Sequence, residues 1–116
     1  MLFILLGSDS ALTRTPESTT LIPGTLLRLN CGTTLQAPVL WRFTPEGSTS
    51  AISVTSHGDV NSQFTPYFYI DSASPYDLVA WTLNANESYC GTYTCAENRG
   101  APNDENATAT VASKCI

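Results

Sequence analysis

Positive charge is what this sequence has least of. Lys and Arg number five (Arg14, Arg28, Arg42, Arg99 and Lys114) against ten Asp and Glu, for a net charge of −5. No basic cluster can displace counterions from phosphates, which argues against nucleic acid and anionic membrane surfaces as partners. Histidine occurs once, at His57. A single His cannot complete a His-based metal set, and His57-Gly58-Asp59 reads as a turn. Ser and Asp are scattered along the chain, but no nucleophile elbow and no paired acids in a motif context orient a reaction. Neither an enzyme nor a cofactor is expected. No helical periodicity, internal repeat or linker is visible, and no apolar run approaches the length of a membrane span.

What remains suits one globular β domain. The chain has 116 residues, of which 42% are hydrophobic and only 13% charged. A chain of that length buries roughly two-thirds of the surface it exposes unfolded. Four cysteines form an even set without a Cys-x-x-Cys pair. In a β-patterned chain they argue for two disulfides and an oxidising compartment. Asn86-Glu87-Ser88 and Asn106-Ala107-Thr108 are N-glycosylation sequons, which agrees with an extracellular setting.

Residues 1–10 stand apart. Met1-Leu2-Phe3-Ile4-Leu5-Leu6-Gly7 reads like the tail of a signal peptide, yet it lacks a basic start and is short for an apolar core. Two alternatives stay open: a processing remnant, or an added strand that covers an apolar patch on its own domain or on a neighbouring chain. Residues 11–116 then form the domain. Strands are expected at Ala11–Pro16, Thr25–Cys31 (Leu27, Leu29 and Cys31 on one face), Val39–Phe43, Ala51–Val54, within Phe64–Ile70, at Tyr76–Leu83, at Gly91–Asn98 and at Asn106–Lys114. Leu78, Ala80 and Leu83 are the inward candidates of the Tyr76–Leu83 strand. Tyr67, Phe68 and Tyr69 cannot all face one way, so one or two belong to the core.

Gly91-Thr92-Tyr93-Thr94-Cys95, with Trp41 between it and Cys31, resembles the tyrosine-corner strand of an immunoglobulin domain. The resemblance covers about residues 11–115, and in its lettering Val39–Phe43 is strand C, Ala51–Val54 strand C′, strand D lies within Phe64–Ile70, Gly91–Asn98 is strand F and Asn106–Lys114 strand G. The room between Cys31 and Cys95 for two extra strands favours the variable type. It implies an all-β, two-sheet antiparallel sandwich with Leu29, Trp41, Leu83 and Tyr93 in the core and a Cys31–Cys95 disulfide. The Tyr93 hydroxyl should bond back to loop backbone. The turn before strand F and the end of strand G share one pole of such a sandwich, so Cys90 and Cys115 are expected to pair. A Cys115 used between chains is the competing reading. The sequence departs from the family in three places. Glu87-Ser88-Tyr89-Cys90 stands where an Asp would precede Gly91, no Arg opens strand D to pair with it, and strand G lacks Phe-Gly-x-Gly. A rearranging receptor chain is not expected.

The implied function is recognition or adhesion by a cell-surface or secreted, immune-type receptor that binds a protein ligand or counter-receptor. A homodimer through residues 1–10 or through the face of strands G, F, C and C′ would be one form of it. With Trp41, Tyr93 and Cys95 inward, alternation turns Leu40, Arg42, Thr44, Thr94 and Ala96 outward on that face. Arg42, with Arg99 near its loop end, could anchor an acidic ligand, or both could be solvated surface arginines. Asn103, Asp104 and Glu105 would steer towards basic partners. The alternatives are an innate-type binder of a microbial or carbohydrate ligand and a structural spacer in a longer ectodomain.

Overall fold

In a computed structural model of the chain, residues 12–21, 26–33, 39–56, 58–71, 76–80, 89–97 and 106–113 are described. They form twelve short strands and no α-helix. These are β1 (Leu12–Arg14), β2 (Thr19–Leu21), β3 (Arg28–Leu29), β4 (Gly32–Thr33), β5 (Leu40–Pro45) and β6 (Ile52–Ser53). Then come β7 (Thr55–Ser56), β8 (Asp59–Val60), β9 (Phe68–Ile70), β10 (Leu78–Ala80), β11 (Gly91–Ala96) and β12 (Asn106–Ser113). One sheet runs β2-β12-β11-β5-β6 and a second β3-β10-β9, with β1–β4 and β7–β8 as separate pairs. Trp41, Phe43, Tyr93, Cys95 and Val111 of the first sheet share one buried cluster with Leu29, Phe68, Leu78 and Ala80 of the second. That arrangement is compatible with a β-sandwich.

Alternation accounts for the longest strands. Along β11, Gly91, Tyr93 and Cys95 are buried while Thr92, Thr94 and Ala96 are not. The same parity buries Trp41 and Phe43 of β5, and the register sets Cys95 opposite Trp41 and Tyr93 opposite Phe43. Cys31 and Cys95 are disulfide-bonded with Cα atoms 6.4 Å apart. Leu27, Leu29 and Cys31 share the expected buried face. Of the aromatic run, Phe68 is in the core, Tyr69 is half-buried and Tyr67 is exposed. Val79 is buried as well as Leu78 and Ala80, so β10 is covered on both sides. Leu83 lies outside the described residues.

Two expected strands are shorter than expected, and each is followed by a strand that was not expected. The strand expected over Ala11–Pro16 ends at Arg14, and beyond its expected end the chain re-enters structure as β2, at the edge of the five-stranded sheet. Pro16, buried and without an N–H, cannot continue a ladder. Just beyond it, the Ser18 hydroxyl accepts the Thr110 N–H at 2.9 Å. β2 then pairs parallel to β12, Thr19 opposite Val111 and Leu21 opposite Ser113. This corrects the expectation of a wholly antiparallel fold. Of the expected Thr25–Cys31 strand, the described part that joins a ladder is β3 (Arg28–Leu29); the Cys31 N–H donates to the Asp77 carboxylate at 3.0 Å, and pairing resumes only beyond the expected end, as β4.

Asp77 is 1% exposed and also accepts from the Arg14 guanidinium at 3.0 Å and the Arg28 guanidinium at 3.1 Å. Arg28 reaches Asp71 at 2.8 Å. The hydrogen bond that Arg28 donates to Asp71, more than the one to Asp77, holds its guanidinium above its usual pKa against the opposing effect of burial. The sequence reading found no ion pair of the family's usual kind and did not foresee this one. It ties β1 and β3 to the segment leading into β10.

The Tyr93 hydroxyl donates to the Tyr89 carbonyl at 2.6 Å, as the resemblance implied. Phe43 stacks on the Tyr93 ring at 4.5 Å between centroids. Gly91 takes φ +150°, and a Cβ there would collide with the Thr44 carbonyl and sit 2.8 Å from the Phe43 ring, so this start of β11 needs glycine. Burial above all pushes the Tyr93 hydroxyl well above its ordinary 10.0. The unfolded chain ionises this group near pH 10 while the folded chain keeps it protonated. Its contribution to stability is therefore intact below pH 10 and lost as pH rises further. Tyr93→Phe should lower stability by about 1–2 kcal/mol in urea titrations at neutral pH. It should also flatten the alkaline decline; an unchanged alkaline slope would contradict this assignment.

Candidate functional site

The outward face of the five-stranded sheet gathers the sequence-predicted contact residues. Directly paired residues point to the same side, so the register builds this face in rows. Asn106, Ala96 and Leu40 form one row across β12, β11 and β5. Thr108, Thr94, Arg42 and Ser53 form the next, extended by β6. Thr110, Thr92 and Thr44 form the third, and Ala112 with Thr20 a fourth at the β2 edge. Asn106, Thr108, Thr110 and Arg42 are exposed, whereas Leu40, Thr44, Thr92, Thr94 and Ala96 are half-buried. The Thr94 and Thr108 hydroxyls bond to each other at 3.2 Å.

Side chains on this face are short and uncharged apart from one. Arg42 is the single ionisable group in the four rows among the described residues, and it pairs with no described carboxylate. The rest is threonine, serine, alanine, one leucine and one asparagine, a surface without aromatic anchors. Among the described residues of the rows the hydroxyls have no neighbouring His or carboxylate. The face can pack flat against another surface, offer hydroxyls, and present one guanidinium fork to a carboxylate.

The structure brings Leu40, Arg42, Thr94 and Ala96 together as expected. It adds Thr92, Thr108, Thr110 and Ser53, which the sequence reading did not single out. The signal for Thr108 and Thr110 was present in the Ala-Thr alternation of Asn106–Lys114, which identified only a strand, and Thr92 shares the parity of Thr94 on β11. Cys90 is 2% exposed, and its carbonyl accepts the Glu46 N–H at 3.1 Å. Arg99, Asn103, Asp104, Glu105, Asn86, Cys115 and residues 1–10 lie outside the described residues. Elsewhere, a depression of about 480 Å³ is lined by Gly58, Asp59, Val60, Thr65, Phe68, Tyr69 and Ile70. It is wide open and has no converging set of polar groups, so it ranks below the sheet face as a site.

No protein-family model and no curated protein matches this chain.

Proposed function

We propose that the chain is an extracellular recognition domain of the immunoglobulin superfamily, variable type. It binds a protein partner through the outward face of β12, β11, β5 and β6. Several features support the fold assignment: β2 parallel to β12, next to the antiparallel run β12-β11-β5-β6; Trp41 opposite a disulfide-bonded Cys95; and the Tyr93 hydroxyl on the Tyr89 carbonyl. A Cys90–Cys115 bond belongs to this reading. A shared fold does not carry function, so binding is inferred from the face itself.

The observation that carries it is Arg42, the one charged side chain among the described residues of the five-stranded face, in a chain whose net charge is −5. A lone cation there disfavours basic partners little and rewards a partner that brings a carboxylate into the threonine rows. Arg42→Glu reverses that preference while leaving the buried side of β5 untouched.

Two measurements test this. The first is binding of the purified domain to a panel of cell-surface ectodomains, with Arg42→Glu and Thr94→Arg variants alongside. Saturable binding lost in both variants supports the reading, and saturable binding indifferent to both moves the contact elsewhere. The second is light-scattering mass for the full chain and for the chain lacking residues 1–10. A dimer that becomes monomeric on deletion makes residues 1–10 the assembly device; a dimer lost only in Arg42→Glu makes the face homophilic. A monomer without any saturable partner overturns recognition in favour of a spacer.

A further inference from the structure

Asn106 does more than mark an extracellular chain. The register places it on the proposed binding face, because Asn106 is opposite Ala96 and Ala96 is opposite Leu40. Asn106 is exposed and heads an Asn-Ala-Thr acceptor sequence. Alternation sends its side chain to the same side as Thr108 and Thr110, away from the core that Ala109 and Val111 enter.

We propose that Asn106 carries an N-linked glycan whose first sugars lie across Ala96 onto Leu40, closing that row to protein partners. The inference rests on the extracellular reading above. Neighbouring strands are about 4.7–4.9 Å apart, so Leu40 on β5 is two such steps from Asn106. A first pair of sugar rings covers that span. Ala96 between them is a low floor with only a methyl group to clear. Half-buried Leu40 at the far side offers an apolar surface for the C–H face of a sugar ring. The Thr108 hydroxyl required during attachment, while the chain is still unfolded, is afterwards held by Thr94 at 3.2 Å. Leu40 and Ala96 thereby become glycan contacts. The surface left to a partner is the pair of rows around Arg42, Thr92 and Thr44.

The test uses the full chain secreted from a eukaryotic host. Peptide mass spectrometry reads occupancy at Asn106. Hydroxyl-radical footprinting then reads oxidation of Leu40 in the glycosylated chain, after enzymatic removal of glycans from the folded protein, and in Asn106→Gln, which keeps any glycan at Asn86. Occupancy at Asn106 is expected, with Leu40 oxidation rising severalfold in both glycan-free samples and exposed Tyr67 unchanged as the control. Equal oxidation of Leu40 with and without the glycan overturns its placement. An empty Asn106 in a secreted, Cys31–Cys95-bonded chain overturns the site while sparing the extracellular reading. A chain retained in the cell with Cys31 and Cys95 reduced overturns both.

Discussion

Asp77→Ala is expected to destabilise the fold by about 3 kcal/mol, a large share of the ~5–15 kcal/mol that a domain of this size has in total. The loss has two sources of different weight. The Cys31 N–H, at a residue that is 1% exposed, would lose its acceptor, and an unsatisfied buried donor alone costs about 1–3 kcal/mol. The hydrogen bonds from Arg14 and Arg28 would go too, but those side chains are 45% and 37% exposed and can turn back to water. For that reason the value falls short of the penalty for stranding a fully buried charge. Arg14→Ala and Arg28→Ala should each cost less than about 1 kcal/mol. Asp77→Asn keeps an acceptor for Cys31 but can turn an amide N–H towards two guanidiniums, so it should fall nearer to Asp77→Ala than to either arginine variant. Urea midpoints for the four proteins decide the ranking. If Asp77→Ala were no worse than Arg14→Ala, the carboxylate would not be the keystone described.

Removing the disulfide with Cys31→Ala and Cys95→Ala together should cost about 4 kcal/mol. The bond joins residues 64 apart in sequence, and closing a loop of that size restricts the unfolded chain by about this amount on the chain-entropy model. The effect should appear as a lower urea midpoint in the double variant, matched by reduction of the native chain. A difference under about 1 kcal/mol would mean that Trp41 and its neighbours hold the sheets together without the bond. Counting reactive thiols in the denatured, unreduced chain extends the test. The proposed Cys90–Cys115 pair requires that none of the four cysteines react, whereas a chain holding only Cys31–Cys95 would expose the other two.

The sequence by itself determined what depends on neighbours in the chain. Side chains alternate along an extended backbone whatever surrounds it. Tyr93 and Cys95 therefore had to share a face, as did Leu27, Leu29 and Cys31, and Leu40, Arg42 and Thr94 had to face away from Trp41. Residue type against solvent then decided which side was buried. The site was legible to the same extent: the outward residues of β5 and β11 could be named, but not which threonines would stand beside them.

Only the tertiary structure decided the pairings. Whether Thr94 meets Thr108, or Asn106 lies in line with Leu40, depends on a register between strands, and no local propensity encodes it. The parallel course of β2 was hidden because Thr19–Leu21 lies beyond the expected first strand, and nothing local to it encodes which strand it meets. Asp77 was hidden for a related reason. Its partners Arg14, Arg28 and Cys31 lie 63, 49 and 46 residues away, and an aspartate that will be buried is written with the same letter as one left in water. Alternation is a property of the backbone and can be read from the chain; contact between distant residues arises only when the sheets close on one core.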